Sequence, residues 1–95
     1  MAASQISNVL IAAADGDTFT GAQDICRIKC SAGSNAGTVT VKVSNASSSN
    51  VAVYTQQLSA NSSPVSDELI LRVTPGQTLT VNMSATGITV YLYRK

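Results

Sequence analysis

Ninety-five residues allow one domain, and a chain of that size buries only about 60–65% of its extended surface, so one modest core must hold the fold. Ser, Thr and Asn number 29 against 11 charged residues and 10 valines, with no His and no Trp. The commonest general base and metal ligand is thus missing. Six Lys and Arg against five Asp and Glu make no field that would hold a nucleic-acid backbone or an anionic membrane. A hydrophobic fraction of 44% is ordinary for a globular domain and argues against wholesale disorder.

Along the chain, short runs of alternating apolar and polar residues are separated by turn-forming clusters, and no run has helical spacing. Residues 5–13 carry Val9 and Ile11 on one face and read as an N-terminal arm or edge strand, which sets an arm at 1–14 apart from a sandwich domain at 15–95. Asp15-Gly16-Asp17 is a turn, because Gly accepts positive φ and Asp bonds nearby backbone. In the next strand, 25–31, Cys26, Ile28 and Cys30 alternate with Arg27 and Lys29, a period that places both thiols on one buried face. Four strand residues span about 13 Å whereas a disulfide needs Cα atoms within about 7 Å, so the two cysteines do not pair with each other. They lack the further ligands of a metal site.

After an Ala/Gly/Ser/Asn loop at 32–37, residues 38–43 alternate without a break, with Val39, Val41 and Val43 on one face and Thr38, Thr40 and Lys42 on the other. The polar tract 44–50 has the length of a hairpin connection. The strand pattern resumes at 51–58, with Tyr54 opposite Val51 and Val53. Pro64 opens the stretch 65–73, where Leu69, Leu71 and Val73 alternate with Ile70 and Arg72. Thr74-Pro75-Gly76-Gln77 fits a type II turn, with Pro presetting φ at the second position and Gly supplying positive φ at the third. Two closing strands follow: 78–84 buries Leu79, Val81 and Met83, and 88–93 buries Ile88, Val90 and Leu92 across the turn Ala85-Thr86-Gly87. Seven or eight short antiparallel strands with regular turns predict an all-β fold, a single small β-sandwich of jelly-roll-like form. Its Thr-rich outward faces leave strand edges with few of the charges that prevent edge-to-edge pairing, so neighbouring copies are expected to cover them.

Residues 1–15 contain no Lys or Arg and their apolar run is short, which predicts no signal peptide. The sequons at Asn45, Asn61 and Asn82 are then chance products of the composition. Asp15, Asp17 and Asp24 form an acidic cluster without the order of a calcium loop and read as a solvated turn, with a calcium-dependent adhesive domain as the minor alternative. Asp67 and Glu68 point to opposite faces of a strand and cannot work as an acid–base pair. No serine has a His to activate it, and no glycine-rich loop joins a strand to a helix. No enzyme, cofactor or metal is expected. Tyr91 and Tyr93 share the face opposite Val90 and Leu92, beside the basic end Arg94-Lys95; with Tyr54 they are the candidate protein-interface residues, because Tyr and Arg are enriched at interfaces. The alternative role for that pair is cross-strand packing on the sheet's outer surface.

The segments Ile25-Cys26-Arg27-Ile28-Lys29-Cys30-Ser31 and Gly37-Thr38-Val39-Thr40-Val41-Lys42-Val43, the stretch from Leu69 through Thr74-Pro75-Gly76-Gln77 to Val81, and Thr89-Val90-Tyr91-Leu92-Tyr93 together resemble small β-sandwich proteins of tailed bacteriophage particles. Those are head decoration or cement proteins and head-fibre or tail accessory proteins. The resemblance spans about 70 residues; the family's Gly-Asp at the turn is Gly76-Gln77 here, and its acidic end is replaced by Arg94-Lys95. It implies a virion protein without catalytic residues, a decoration or cement protein that binds the assembled shell in many copies. Its partners would be the major capsid protein or another virion protein, and copies of itself, with a trimer matching local shell symmetry. A tail- or fibre-associated adaptor, or a receptor- or glycan-binding module, is the alternative.

Overall fold

The computed structural model describes residues 4–6, 8–45, 48–66 and 68–95, with side chains over 8–44, 51–66 and 68–95. Among the described residues strand alternation becomes nine β-strands: β1 (Ser4–Ile6), β2 (Val9–Ala12), β3 (Asp17–Thr20), β4 (Gln23–Ser31), β5 (Gly37–Asn45), β6 (Ser48–Leu58), β7 (Leu71–Val73), β8 (Thr78–Met83) and β9 (Thr89–Arg94). One sheet runs β1-β2-β9-β4-β7 and the other β3-β8-β5-β6, with every pairing antiparallel. The pairs β2 with β9, β3 with β8, β4 with β7 and β5 with β6 describe one long hairpin from residue 9 to residue 94. Its rolling up adds the β4–β9 and β5–β8 contacts. That is the connectivity of a jelly roll, with β1 as an additional edge strand.

Packing follows the cross-strand register, because directly opposed residues share a face. On the five-stranded sheet, Leu10, Leu92 and Ile28 form one inward row and Ala12, Val90 and Cys30 the next. All six are buried. The other sheet answers with Val39 opposite Met83 and Val41 opposite Val81, also buried, and Phe19, Val43 and Tyr54 pack around the rim. Each fully buried aliphatic side chain contributes about 1.5–3 kcal/mol over its exposed state, so these rows dominate the stability.

Three expected turns are present, and their chemistry matches their geometry. Gly76 has φ +89° and the Gln77 amide donates to the Thr74 carbonyl at 3.1 Å. The Gln77 side-chain oxygen also accepts from the Thr74 amide and hydroxyl, both at 2.8 Å. Gly16 and Gly87 take the positive φ that their turns require.

Several expectations need correction. Of the two readings of residues 5–13, arm or edge strand, the structure gives strand: β1 and β2 form a hairpin in which β1 is the edge, and β2 lies inside the sheet and supplies Leu10 and Ala12 to the core. Residues 1–3 and 7 lie outside the described residues. The segment Asp17–Thr20 is a strand, which its lack of aliphatic alternation concealed. The tract 44–50 is mostly strand, with Asn45 paired to Ser48. Among the described residues of 65–73 only Leu71–Val73 is regular strand. Residues 61–66 and 68–69 instead form an irregular strap along β4, and Asp67 lies outside the described residues. In it the Cys30 amide donates to the Pro64 carbonyl (3.0 Å), the Ser66 amide to the Ile28 carbonyl (2.8 Å) and the Leu69 amide to the Cys26 carbonyl (2.9 Å), while Ser66 Oγ accepts from the Ile28 amide at 2.9 Å. A proline-containing strap satisfies one edge of β4 without offering a regular edge of its own.

Register shifts redirect side chains, one between β4 and β9 and two between β5 and β6. Ile25 faces Arg94 but Arg27 faces Tyr93, leaving Cys26 as an extra residue. The phase therefore shifts, so Ile25 and Ile28 are both buried while Cys26 is only half-buried. The expected shared face of the two thiols is not formed. The second bulge leaves Val53 extra between Val41–Tyr54 and Lys42–Ala52. Val53 is exposed at the bulge, and Tyr54 and Val51 on either side of it stand opposite Val41 and Val43 on the same face of β5, Tyr54 against the core and Val51 exposed near the end of the sheet.

Candidate interaction face on the five-stranded sheet

On β9, alternation that sends Val90 and Leu92 inward sends Tyr91 and Tyr93 outward. The register then assembles their surroundings. Val9, Tyr93 and Arg27 form one outer row, and Ile11, Tyr91, Lys29 and Val65 the next. β9 lies in the middle of its sheet, so the two tyrosines stand at the centre of the face. Val9 and Ile11 flank them on one side, and Arg27 and Lys29 on the other. The ammonium of Lys29 sits 5.9 Å from the centre of the Tyr91 ring, within cation–π range.

The four residues expected at an interface are not brought together. Only Tyr91 and Tyr93 share a face. Arg94 falls in phase with Leu92 at the end of the sheet, where its Nη1 donates to Gln23 Oε1 at 3.3 Å and its amide to the Asn8 carbonyl at 2.8 Å. Tyr54 lies on the other sheet, half-buried against the core, with its hydroxyl donating to Gln56 Oε1 at 3.2 Å. Burial, and secondarily the nearby Cys30 thiol, push its hydroxyl pKa upward. Sequence reading missed Val9, Ile11, Arg27, Lys29 and Val65 as companions of the tyrosines. Alternation within each run carried their outward phase, but their adjacency came only from strand pairing.

The carboxylates disperse to separate structural tasks. Asp17 accepts the Ala13 and Ala14 amides at 2.9 and 3.0 Å, capping its own turn. Asp15 accepts the Met83 amide at 2.7 Å and the Asn82 side chain at 3.1 Å. These bonds hold its carboxyl below the usual carboxylate range. Asp24 pairs with Arg72 across β4 and β7 at 3.0 Å, an exposed ion pair worth at most about 1 kcal/mol. Among the described residues no three His, Cys, Asp or Glu side chains converge as a metal site would require. Burial raises the Cys30 thiol to about 11, so it stays protonated and inert at neutral pH. Half-buried Cys26 directs Sγ to the Tyr93 carbonyl at 3.5 Å and borders a surface groove of about 370 Å³ shared with Leu69, Ile70 and Arg72.

Fold and face together define a jelly-roll domain with one aromatic, basic-flanked sheet surface. No family model matches the chain, and no curated protein is similar to it.

Proposed function

We propose that this protein is a structural component of a tailed-bacteriophage particle, a decoration or cement protein that docks on the assembled shell through the outer face of its five-stranded sheet. The observation that carries this reading is the pair of outer rows Val9–Tyr93–Arg27 and Ile11–Tyr91–Lys29. They combine apolar area, two amphipathic aromatics and two cations, with no acidic residue, in the composition enriched at protein interfaces. The sequence resemblance and the jelly-roll connectivity, which recurs among viral capsid domains, support the same direction; fold alone does not specify function.

A cement protein stabilises a shell by mass action: it binds the assembled lattice and not the separated subunits, so its binding energy adds to the lattice's resistance to opening. The basic flank would set its orientation against an acidic or carbonyl-rich patch on the shell, and the tyrosines would supply the desolvated centre. The test is quantitative mass spectrometry of purified particles, scaled to the major capsid protein, followed by re-addition of Tyr91→Ala/Tyr93→Ala protein to particles stripped of it. Hundreds of copies in fixed ratio, and at least about tenfold weaker re-binding by the double variant, are expected. A handful of copies would move the protein to the tail or a fibre. Absence from particles would sink the proposal and make glycan-array screening the next step.

A further inference from the structure

The roll has four lateral sheet edges, and they differ. β1 is three residues long and β3 four, with Asp17 within it. The third edge is β7 and the strap, broken by Pro64 and carrying the exposed charges Glu68 and Arg72. The fourth is β6, eleven residues from Ser48 to Leu58 with no charged residue among them. Two of the four exposed large hydrophobics among the described residues are on it, Val51 at 57% and Val53 at 44% exposure. Long, uncharged edges bearing β-branched residues are templates for another strand, and proteins ordinarily shorten, charge or cover them. Three of the four edges here are so treated.

We propose that two copies of this chain pair antiparallel along β6 about a two-fold axis, joining their four-stranded sheets into one of eight strands. A second copy laid along β6 meets no like charge, which is what a self-paired edge requires and what decides the place. A two-fold contact sets a surface against itself, so the tyrosine face would oppose Arg27 and Lys29 to their own counterparts and repel. Residues 48–58 contain nothing to repel. The bulge at Val53 and the further shift between Ser48 and Val51 twist the strand and confine regular pairing to 54–58 and to 51 and 52. The contact is therefore small, at the weak end of specific interfaces. It leaves the tyrosine face free, so a dimer presents two docking faces and gains avidity on a repeating surface. The pairing itself does not depend on what those faces bind.

Sedimentation velocity of the purified chain in reductant, from about 5 to about 500 µM, is the test, with a dimer of Kd about 10–100 µM expected. Val51→Lys/Val53→Lys should weaken association at least about tenfold, whereas Tyr91→Ala/Tyr93→Ala should leave it unchanged. Should the lysine variant fail to fold, amide exchange on the unaltered chain decides instead. Protection over 51–58 should rise with concentration while that of β3 stays constant. A monomer at every concentration, a trimer, or a dimer lost with the tyrosines and indifferent to the lysines would overturn the pairing, as would exchange at β6 that ignores concentration.

Discussion

The outer row Val9–Tyr93–Arg27 on one sheet and the outer row Thr18–Thr80–Lys42 on the other are built by the same alternation, each backed by an inward row of aliphatics. Their chemistry differs. Threonines satisfy strand preference while their hydroxyls stay hydrated, so covering that face gains little apolar area. The tyrosine row exposes rings and aliphatic side chains that gain by being covered, with cations that orient whatever covers them. Outward position on a strand is therefore not sufficient for a binding face; the side chains that the register sets beside one another decide it.

The largest expected effect lies behind the tyrosines. Leu92→Ala, on the inward side of the same strand, should cost about 2–5 kcal/mol in urea unfolding because it opens a cavity between the sheets. If it costs as little as an outer substitution, the assignment of faces fails. Next comes Gly37→Ala at the start of β5, where a Cβ would meet Ile88 Cδ1 at 2.9 Å, Ala85 Cβ at 3.0 Å and Ser84 Oγ at 3.1 Å. Overpacking there should cost about 1–3 kcal/mol by thermal or urea unfolding. On the faces themselves, Tyr91→Ala should cost about 1 kcal/mol in cross-strand packing and Thr40→Ala within about 0.5 kcal/mol. In the docking role proposed above, the difference between those two in shell binding should be far larger than their difference in stability.

Titration sharpens the contrast between inside and outside. The raised Cys30 pKa means its stabilising contribution is complete below its ordinary value of 9.0 and is lost as pH climbs toward about 11, since the unfolded chain releases that proton first. Urea midpoints should fall over that window, and less so in Cys30→Ala. Iodoacetamide at pH 8 should label Cys26 while Cys30 reacts only on unfolding. The smallest effect is expected at Asp15: its lowered pKa contributes stability above pH 3.8 that disappears as pH falls through the folded value. Asp15→Asn should flatten the acid limb of the melting curve.

Residues 38–43, 78–84 and 88–93 were legible as strands because β-branched and aliphatic residues alternate there without interruption, and Pro75-Gly76 announced its turn through φ preferences alone. β3 was not, since Asp17-Thr18-Phe19-Thr20 contains a single apolar residue. The bulges left a trace that alternation analysis passes over. Ile25 and Ile28 have opposite parity in one strand yet are both buried, and in β6 Val51 and Tyr54, of opposite parity, stand opposite Val43 and Val41 on one face of β5. Two apolar sets of opposite parity within one run imply an inserted residue between them.

Composition and period thus determined an all-β chain, the places of most strands and the chemistry of their turns, because those depend on residues near one another in sequence. Which side of β6 faces inward, which thiol is sealed, and which side chains stand beside Tyr91 and Tyr93 were decided only when the sheets closed. Alternation has two equivalent faces, and only pairing between strands as distant as β2 and β9, with one residue inserted in β4 and two in β6, breaks that equivalence.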